Sequence, residues 1–380
     1  MRPMNHPNKA RDGQAIELGA APGFPIVARI AVRNGPISGI ATSPDGTRLL
    51  VANYGGDSVS VIDTDSCRVV QDIAGLGEPF AVATGSRDSK RVYVSTVSPA
   101  YDSVAVIDVS TNTVVATHPL TLSVSDLAVS PDGRYAYASR NGNGGPDVAV
   151  LDSATGRVDT IALPDRPGTV TECVRVSPDG NRLYVATNSP AGGQLVIIGS
   201  QPQPGIRGQV SWRRKRPGRW RVIGTVEIGL PIRDVAISPD GATAYVASCG
   251  TDWDAVIDVI DTRTVKVTGT RKIGNISGIV TRITLSGDGD RAYLVSDDSV
   301  TVLRTDTQDV VGTLAVANQP SCVVESRDAR YLYVADYSGK VTVVPVASIV
   351  ALGIEASVDD SDTPTEWVMP GQVHPEPVLA

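Results

Sequence analysis

Charged residues recur near the start of one apolar strand in several copies of a repeated pattern. Asp126, Glu172 and Asp234 supply carboxylates, and Arg233 and Arg282 supply guanidinium groups. Carboxylates and arginines that converge can bind a small polar ligand, or they can shift one another's pKa values far enough for acid–base chemistry. They can also form ion pairs with a purely structural role, because such pairs perturb pKa values too. These five residues are the first candidates for a functional site.

Polar and aromatic residues at the ends of other strands extend this candidate site. Asn53 and Tyr54 follow one apolar strand, and Asp336 and Tyr337 follow its counterpart near the end of the chain. If the repeats are arranged around an axis, these strand ends and the starts of the charged strands lie on the same face. We therefore predict a single ligand-binding surface that contains both groups.

A second candidate site is a basic segment that contains two tryptophans. From Gln201 to Arg221 the chain holds seven basic residues and no acid, although the whole chain has a net charge of −7. Cations bind phosphates and indole rings stack on unpaired bases, which suits single-stranded nucleic acid. An anionic lipid surface, an acidic protein and a solvated loop without a partner are the alternatives. The residues predicted to contact an anionic partner are Trp212, Arg213, Arg214, Lys215, Arg216, Arg219, Trp220 and Arg221.

Most enzyme motifs are absent from the sequence. Its three histidines are His6, His118 and His374, so a histidine base, a pair of haem ligands or a histidine metal site is not expected. The four cysteines form no Cys-x-x-Cys motif, which is typical of incidental thiols in a reducing compartment. We therefore expect neither a cofactor nor a metal ion.

The elements that must position these residues belong to a repeat that occurs seven times. In the first copy, residues 37–70, the pattern indicates four strands, with the turn Ser-Pro-Asp-Gly at 43–46 between the first two. Intact turns recur at 130–133, 177–180 and 238–241, and degraded forms at 86–88, 287–289 and 327–329. A single four-stranded sheet cannot bury both of its faces, so it needs copies beside it. Seven copies predict an all-β fold, a seven-bladed β-propeller of four-stranded antiparallel blades.

The repeat also sets the predicted domain boundaries. The propeller is expected over residues 24–354, with residues 201–220 as an insertion in the fourth blade. The strand Ile26–Val32 has no partner in its own repeat, and we expect it to pair beside Val341–Val346 and close the ring. Residues 1–23 are an N-terminal extension. Residues 355–380 are an acidic, proline-rich tail, which either screens the basic segment or only adds solubility.

The location of the chain is expected to be cytoplasmic. The first 23 residues lack the apolar core of a secretory signal. No window of the sequence has the length and apolar character of a membrane span.

The segments LLVANYGGDSVSVIDT and LYVADYSGKVTVV resemble the repeat of the YVTN, or YncE-like, family of propellers. The signature of that family is a Tyr-Val-Thr-Asn-like second strand followed by Val-x-Val-Ile-Asp-Thr. The resemblance implies a propeller but no single activity, because such propellers include binding proteins, surface proteins and relatives of lactone hydrolases. A non-enzymatic binding or scaffold protein is the first functional expectation. The alternative is a lactonase-type hydrolase, in which Asp126, Glu172 and Arg282 would act at the mouth of the channel.

Overall fold

The computed structural model describes residues 25–86, 89–120, 123–142, 144–164, 166–201, 219–250, 254–274, 276 and 278–356. Strand β1 (Ala28–Ala31) comes first. The next four strands are β2 (Ile37–Thr42), β3 (Arg48–Asn53), β4 (Ser58–Asp63) and β5 (Arg68–Ala74). They are followed by β6 (Pro79–Thr84), β7 (Arg91–Thr96), β8 (Ser103–Asp108) and β9 (Thr113–Pro119), and then by β10 (Val124–Val129), β11 (Tyr135–Gly142), β12 (Gly145–Asp152) and β13 (Arg157–Ala162).

The second half of the chain continues the same order of strands. Its first eight strands are β14 (Val170–Val176), β15 (Arg182–Ser189), β16 (Gly192–Gln201), β17 (Arg219–Glu227), β18 (Ile232–Ile237), β19 (Thr243–Cys249), β20 (Ala255–Asp261) and β21 (Lys266–Ile273). The remaining elements are β22 (Val280–Leu285), β23 (Arg291–Ser296), β24 (Val300–Arg304), β25 (Val310–Leu314), β26 (Pro320–Glu325), β27 (Tyr331–Asp336), β28 (Lys340–Pro345) and the helix α1 (Val346–Ala356).

The strands form seven four-stranded antiparallel sheets, which are the blades of a β-propeller. In the first six blades the strands follow one another in chain order, from β2–β5 to β22–β25. The seventh has the order β1-β28-β27-β26, with Ala28 opposite Val343 and Ala31 opposite Lys340. The seven-bladed fold and the ring closure by the first strand are therefore confirmed.

The Ser-Pro-Asp-Gly turn holds the first two strands of a blade together through its own side chains. The Ser43 hydroxyl donates to Asp45 Oδ1 at 2.5 Å and accepts from the Arg48 amide at 2.9 Å. Gly46 has a φ of +79°, a conformation that glycine adopts without steric cost. Because every contact is local, the turn can be recognised from four residues of sequence.

Adjacent blades pack face to face through small aliphatic residues and one tyrosine of the second strand. Tyr93 is fully buried, and its hydroxyl donates to the Gly133 carbonyl oxygen of the next blade at 2.6 Å. Tyr137, Tyr184 and Tyr293 occupy the same position in other blades and are also buried. This arrangement covers both faces of each sheet and leaves a channel along the ring axis, lined by the innermost strands.

The structure defines the end of the propeller and the extent of the fourth-blade sheet. The segment after the last strand is the helix α1, and its residue Ile349 is fully buried in a cluster with Leu314 and Val316. In the fourth blade, β16 extends to Gln201 and β17 starts at Arg219, so the sheet continues further into the predicted insertion than its sequence suggested. In the described parts of the chain, no helix is long and apolar enough to cross a membrane.

Candidate functional site

A β-bulge near the start of each innermost strand aims side chains at one mouth of the channel. Pairing with the second strand shifts register between Thr171 and Cys173 in β14, and between Ile232 and Asp234 in β18. A bulge leaves one residue unpaired, bends the strand and redirects its side chain. The residues at the shifts are Ser38, Phe80, Ala81, Ser125, Glu172, Arg233, Thr281 and Ser321. The bulges therefore build a ring of side chains from seven separate stretches of sequence.

Six of these residues, all except Ser38 and Ala81, line a cavity of about 520 Å³ at the channel mouth. Seven residues of the predicted ligand-binding surface line the cavity: Asp126, Glu172, Arg233, Asp234, Arg282, Tyr54 and Tyr337. A second cavity of about 430 Å³ continues down the channel and shares four lining residues with the first. The shared residues are Asp126, Arg175, Asp234 and Arg282, so they lie between the two cavities.

Arg175 is the centre of this shared layer, and the sequence analysis did not identify it. Its guanidinium group bridges two blades, because Nη1 forms an ion pair with Asp126 and Nη2 forms one with Asp234. Nε also donates to the Val235 carbonyl oxygen at 2.9 Å. Burial opposes the charge of Arg175, but Asp234 and Asp126 overcome that effect and raise its pKa well above the ordinary value. Arg175 is therefore a permanent cation across the channel.

The two carboxylates that bind Arg175 also hold neighbouring blades together. Asp126 Oδ2 accepts a hydrogen bond from the Val174 amide of the next blade at 3.1 Å. Asp234 Oδ2 accepts from the Ile283 amide of its next blade, also at 3.1 Å. Both side chains are almost fully buried. Asp126 and Asp234 thus serve as inter-blade links.

Glu172 is the third carboxylate that lines the cavity, and Arg175 forms no ion pair with it. Asn188 Nδ2 donates to Glu172 Oε2 at 3.2 Å, and the same amide group donates to the Ile232 carbonyl oxygen at 2.8 Å. Burial raises the pKa of Glu172; the Arg233 guanidinium and the Asn188 hydrogen bond oppose that increase, and the charges of Asp234 and Asp126 add to it. Glu172 therefore takes up a proton at a higher pH than an ordinary glutamate.

Arg233 and Arg282 are cations at the cavity wall that form no salt bridge with any residue described in the structure. Arg233 Nε is buried and has no hydrogen-bond partner there. Arg282 Nη2 donates to the Ser38 carbonyl oxygen at 3.2 Å and has no carboxylate partner. Two guanidinium groups are thus available for an anion.

The cavity has a charged side and an apolar, aromatic side. Glu172, Arg233 and Arg282 come from the fourth, fifth and sixth blades. Phe80, Tyr54 and Tyr337 come from the second, first and seventh blades. Tyr54 packs edge-to-face on Phe80 with ring centroids 6.5 Å apart, and its hydroxyl donates to Glu78 at 3.2 Å, which fixes the ring. The opposite walls are therefore suited to different parts of one ligand.

Asn53 and Asp336, the other two predicted ligand-binding residues, lie outside the cavity lining. Asn53 is fully buried, and its Nδ2 donates to the hydroxyls of Ser58 and Ser60. Asp336 is buried as well, and its Oδ1 accepts hydrogen bonds from the amides of Ser338 and Lys340. Neither is a lining residue of the cavity at the channel mouth. Both stabilise the connection between the second and third strands, although they directly precede the lining residues Tyr54 and Tyr337.

The basic segment falls mainly outside the described residues. This applies to Trp212, Arg213, Arg214, Lys215 and Arg216, while Arg219 and Arg221 lie in β17. The sequence analysis places Trp220 in the insertion at residues 201–220, outside the regular strands of the fourth blade, and this placement is wrong. It lies in β17 opposite Ser200, is half-buried, and packs edge-to-face on Tyr137 with ring centroids 5.6 Å apart. The fourth blade is longer than the repeat predicts, so the tryptophan belongs to the sheet.

The cysteines and acidic groups offer little further chemistry. Burial raises the pKa of Cys173 well above its usual value, and burial also raises that of Cys322, so both thiols remain protonated at neutral pH. Among the described residues, no group of three or more histidine, cysteine, aspartate or glutamate side chains could hold a metal ion.

Comparisons with known proteins agree with the fold. The protein named "Seven-bladed beta-propeller protein Rv1057" from Mycobacterium tuberculosis is 52% identical over 384 residues, which cover 98% of this chain and 97% of that protein. A seven-bladed beta-propeller protein of Mycolicibacterium smegmatis is 36% identical over 47% of this chain and 48% of its own length. A family model described as the Cytochrome D1 heme domain matches residues 8–164, which is less than half of the chain.

The solved structure of a hydrazine synthase from Kuenenia stuttgartiensis has a similar fold. It covers 87% of this chain and 99% of its own chain with a TM-score of 0.69. Its sequence identity is 21%, so the similarity concerns the fold alone. Sequence identity over nearly the whole length therefore decides the family: the chain belongs to the seven-bladed β-propeller proteins related to Rv1057 of Mycobacterium tuberculosis.

Proposed function

We propose that this chain is a non-enzymatic binding propeller whose channel-mouth cavity takes a small carboxylate with a planar apolar body. The observation that carries the proposal is the availability of Arg233 and Arg282, which face the cavity without a salt-bridge partner among the described residues. Guanidinium groups match carboxylates in geometry and bind them through charge-assisted hydrogen bonds. The YVTN-type repeat is part of the same proposal, as a subclass of the seven-bladed fold.

The charge distribution supports an anionic ligand. Six charged side chains line the cavity, three acids and three arginines, but Arg175 neutralises Asp126 and Asp234 only in part because it carries one charge. The amides of Val174 and Ile283 satisfy further oxygen atoms of the two carboxylates. Uptake of a proton by Glu172 would leave the cavity with an excess of positive charge. Arg233 and Arg282 are half-buried, and an anionic ligand would offset the cost of removing their charges from water.

The aromatic side of the cavity supports a planar body. Tyr54 is 39% exposed and Tyr337 is 50% exposed, which is unusual for large aromatic side chains. Phe80 lies beside Tyr54 at the same wall. A ring that stacks on aromatic side chains gains about 0.5–1.5 kcal/mol beyond the area that it buries. The volume of about 520 Å³ lies within the ordinary range for small-molecule sites.

The described residues that line this cavity include no histidine or methionine that could hold haem iron. Haem iron is held by histidine, cysteine thiolate, methionine or tyrosine side chains. His118, the single histidine in the described ranges, lies on the outer strand β9. Cys173 lines the cavity, but its raised pKa keeps the thiol protonated, and the Tyr54 hydroxyl is bonded to Glu78. The resemblance to the Cytochrome D1 heme domain therefore supports the propeller fold, and these residues favour a carboxylate.

Removal of either available guanidinium is expected to weaken carboxylate binding. Isothermal titration with 2-naphthoate should show a loss of affinity of about tenfold or more for Arg233→Gln and for Arg282→Gln, because a hydrogen bond to a charged group contributes about 1.5–3 kcal/mol. Arg157→Gln is the matched control, since Arg157 pairs with Asp159 on an outer strand at the surface and should leave binding unchanged. The neutral 2-naphthamide should bind much more weakly; equal binding of the two compounds would contradict the proposal.

Glu172 should make the stability of the protein depend on pH. Its pKa in the folded state is raised above the ordinary 4.5, so the folded protein holds this proton more tightly than the unfolded chain does. The resulting stabilisation is complete below the unfolded pKa and is lost as the pH rises through the folded pKa. Glu172→Gln should therefore match the wild type at pH 4 and unfold at higher denaturant concentration at pH 8. Asp159→Asn, which removes an exposed carboxylate, should not reproduce this difference.

The raised pKa of Glu172 is also the observation that favours a lactonase-type hydrolase as the second candidate. A carboxyl group that titrates closer to neutral pH is better suited to general acid–base work. In that case Glu172 would transfer the proton, Arg282 would stabilise negative charge and Asp126 would position Arg175. Turnover of aromatic lactones that is lost in Glu172→Gln would favour this candidate over simple binding.

A nucleic-acid or acidic-protein partner for the basic segment is a separate proposal, which rests on the sequence of residues 201–221. Trp220 is not part of it, because its ring is committed to Tyr137.

A further inference from the structure

A crevice between the third and fourth blades lies on the face of the propeller that carries the Ser-Pro-Asp-Gly turns. Its volume is about 250 Å³. Three aromatic side chains, Tyr135, Tyr137 and Trp220, line it together with Asp132 and Asp179 of two successive turns. It shares no lining residue with the cavity at the channel mouth.

At the crevice, one contact that joins the preceding pair of blades is not made. Between the second and third blades, the Tyr93 hydroxyl lies 2.6 Å from the Gly133 carbonyl oxygen and 2.8 Å from Ser153 Oγ. The corresponding residues at the next interface are Tyr137, Gly180 and Ser200. All three line the crevice, and the Tyr137 hydroxyl has no hydrogen bond to any residue that the structure describes.

Tyr137 is therefore a buried side chain that lines the crevice and whose hydroxyl has no hydrogen-bond partner among the described residues. Its side chain is only 2% exposed, and the ring is fixed by the edge-to-face contact with Trp220. A tyrosine hydroxyl in such an enclosed position usually has a hydrogen-bond partner, either a protein group or ordered water. The open space beside this hydroxyl points to a ligand that can donate a hydrogen bond.

The charges around the crevice select a cation. Asp132 Oδ1 accepts from the Ser130 hydroxyl and the Arg134 amide, whereas none of the described residues donates to its Oδ2. Arg134 is the nearest base in the turn, but it pairs with Asp152 at 2.6 Å and lies over the ring of Tyr135. The described residues that line the crevice include two carboxylates and three aromatic rings but no basic side chain, and this is the kind of environment that binds organic cations.

We propose that this crevice is a binding site for a small organic cation, a guanidinium or alkylammonium group. The aromatic walls would contact the cation by cation–π interaction, Asp132 and Asp179 would supply the opposite charge, and the Tyr137 hydroxyl would accept one N–H. A volume of about 250 Å³ suits a headgroup of this size rather than a drug-sized molecule. This site does not depend on the function proposed for the channel mouth.

The test is a titration of the full chain, labelled with 5-fluorotryptophan, with methylguanidinium chloride at constant ionic strength. The fluorine resonance of Trp220, assigned with Trp220→Phe, should shift in a saturable way. Asp132→Asn combined with Asp179→Asn should weaken binding roughly tenfold, and Tyr137→Phe, which keeps the ring, should weaken it severalfold. Asp240→Asn is the matched control, because Asp240 makes the same turn contacts with Ser238 in another blade.

Methylurea has nearly the same shape as methylguanidinium but no charge. The proposal predicts that methylurea leaves the Trp220 resonance unchanged. Equal shifts with the two compounds, a shift that does not saturate, or unchanged affinity in the double aspartate variant would each overturn it.

Discussion

Replacement of Arg175 by leucine is expected to destabilise the propeller by about 3–5 kcal/mol, because it leaves two buried carboxylates without their shared cation. Asp126 and Asp234 lie in different blades, and both form ion pairs with this one guanidinium. Their links to the amides of Val174 and Ile283 would remain, but the two negative charges would then repel each other across the channel. The measurement is the midpoint of unfolding in guanidinium chloride.

Two further variants separate this mechanism from a general loss of packing. Adding Asp126→Asn and Asp234→Asn to Arg175→Leu removes the uncompensated charge and should recover most of the lost stability. Arg175→Lys keeps the charge but lacks the planar fork that reaches two carboxylates, so it should fall between wild type and Arg175→Leu. Arg157→Gln, which breaks an exposed ion pair, should cost less than about 1 kcal/mol. If Arg175→Leu unfolded at the same midpoint as wild type, Arg175 would not hold the blades together.

Arg175 is a residue of the candidate site that was not identified from the sequence. The residues at the same position of the other innermost strands are Ala41, Ala83, Ala128, Ala236, Thr284 and Val324, as the shared pairing with the second strands shows. An alignment of the seven repeats therefore shows one arginine at a position where the other repeats have small residues. This difference could have identified Arg175 as a candidate functional residue. What the sequence cannot supply is the choice of partners, because a long side chain can reach either neighbouring blade.

The parts that could be predicted depend on local patterns. The four-strand repeat, the turns and the closing strand follow from short stretches whose contacts are formed within the blade or with its neighbour. The bulge residues Glu172 and Arg233 occupy equivalent positions in the repeat, and Arg282 lies one position after the bulge of its strand, so all three could be placed at the channel mouth. Asn53 and Asp336 were assigned to the same surface by position, although their side chains turn back to bond within the strand connections. Trp220 was misplaced because the fourth blade departs from the repeat length.

The first strand should matter as much for stability as Arg175 does. Strand β1 pairs with β28 along its whole length, and Val27 and Val32 add backbone hydrogen bonds to Val343 and Gly339, each at 2.9 Å. Ile30 and Val32 are buried in a cluster shared by the first and seventh blades. Without β1 the seventh blade has three strands from one end of the chain, and no strand joins the two ends of the ring.

Deletion of residues 1–32 should therefore lower the free energy of unfolding by about 4–5 kcal/mol or more. The deletion removes a strand, and it exposes both a β edge and part of the core. Deletion of residues 1–24 is the control, since it leaves β1 and its contacts in place and should change the melting temperature little. A synthetic peptide of residues 25–33 should raise the melting temperature of the protein that lacks residues 1–32. When the peptide is in excess, this increase should be proportional to the logarithm of the peptide concentration, because the peptide binds the folded ring and not the unfolded chain. An unchanged melting temperature after deletion of residues 1–32 would mean that the ring is held closed by contacts between the innermost strands, and that β1 only covers the edge of the seventh blade.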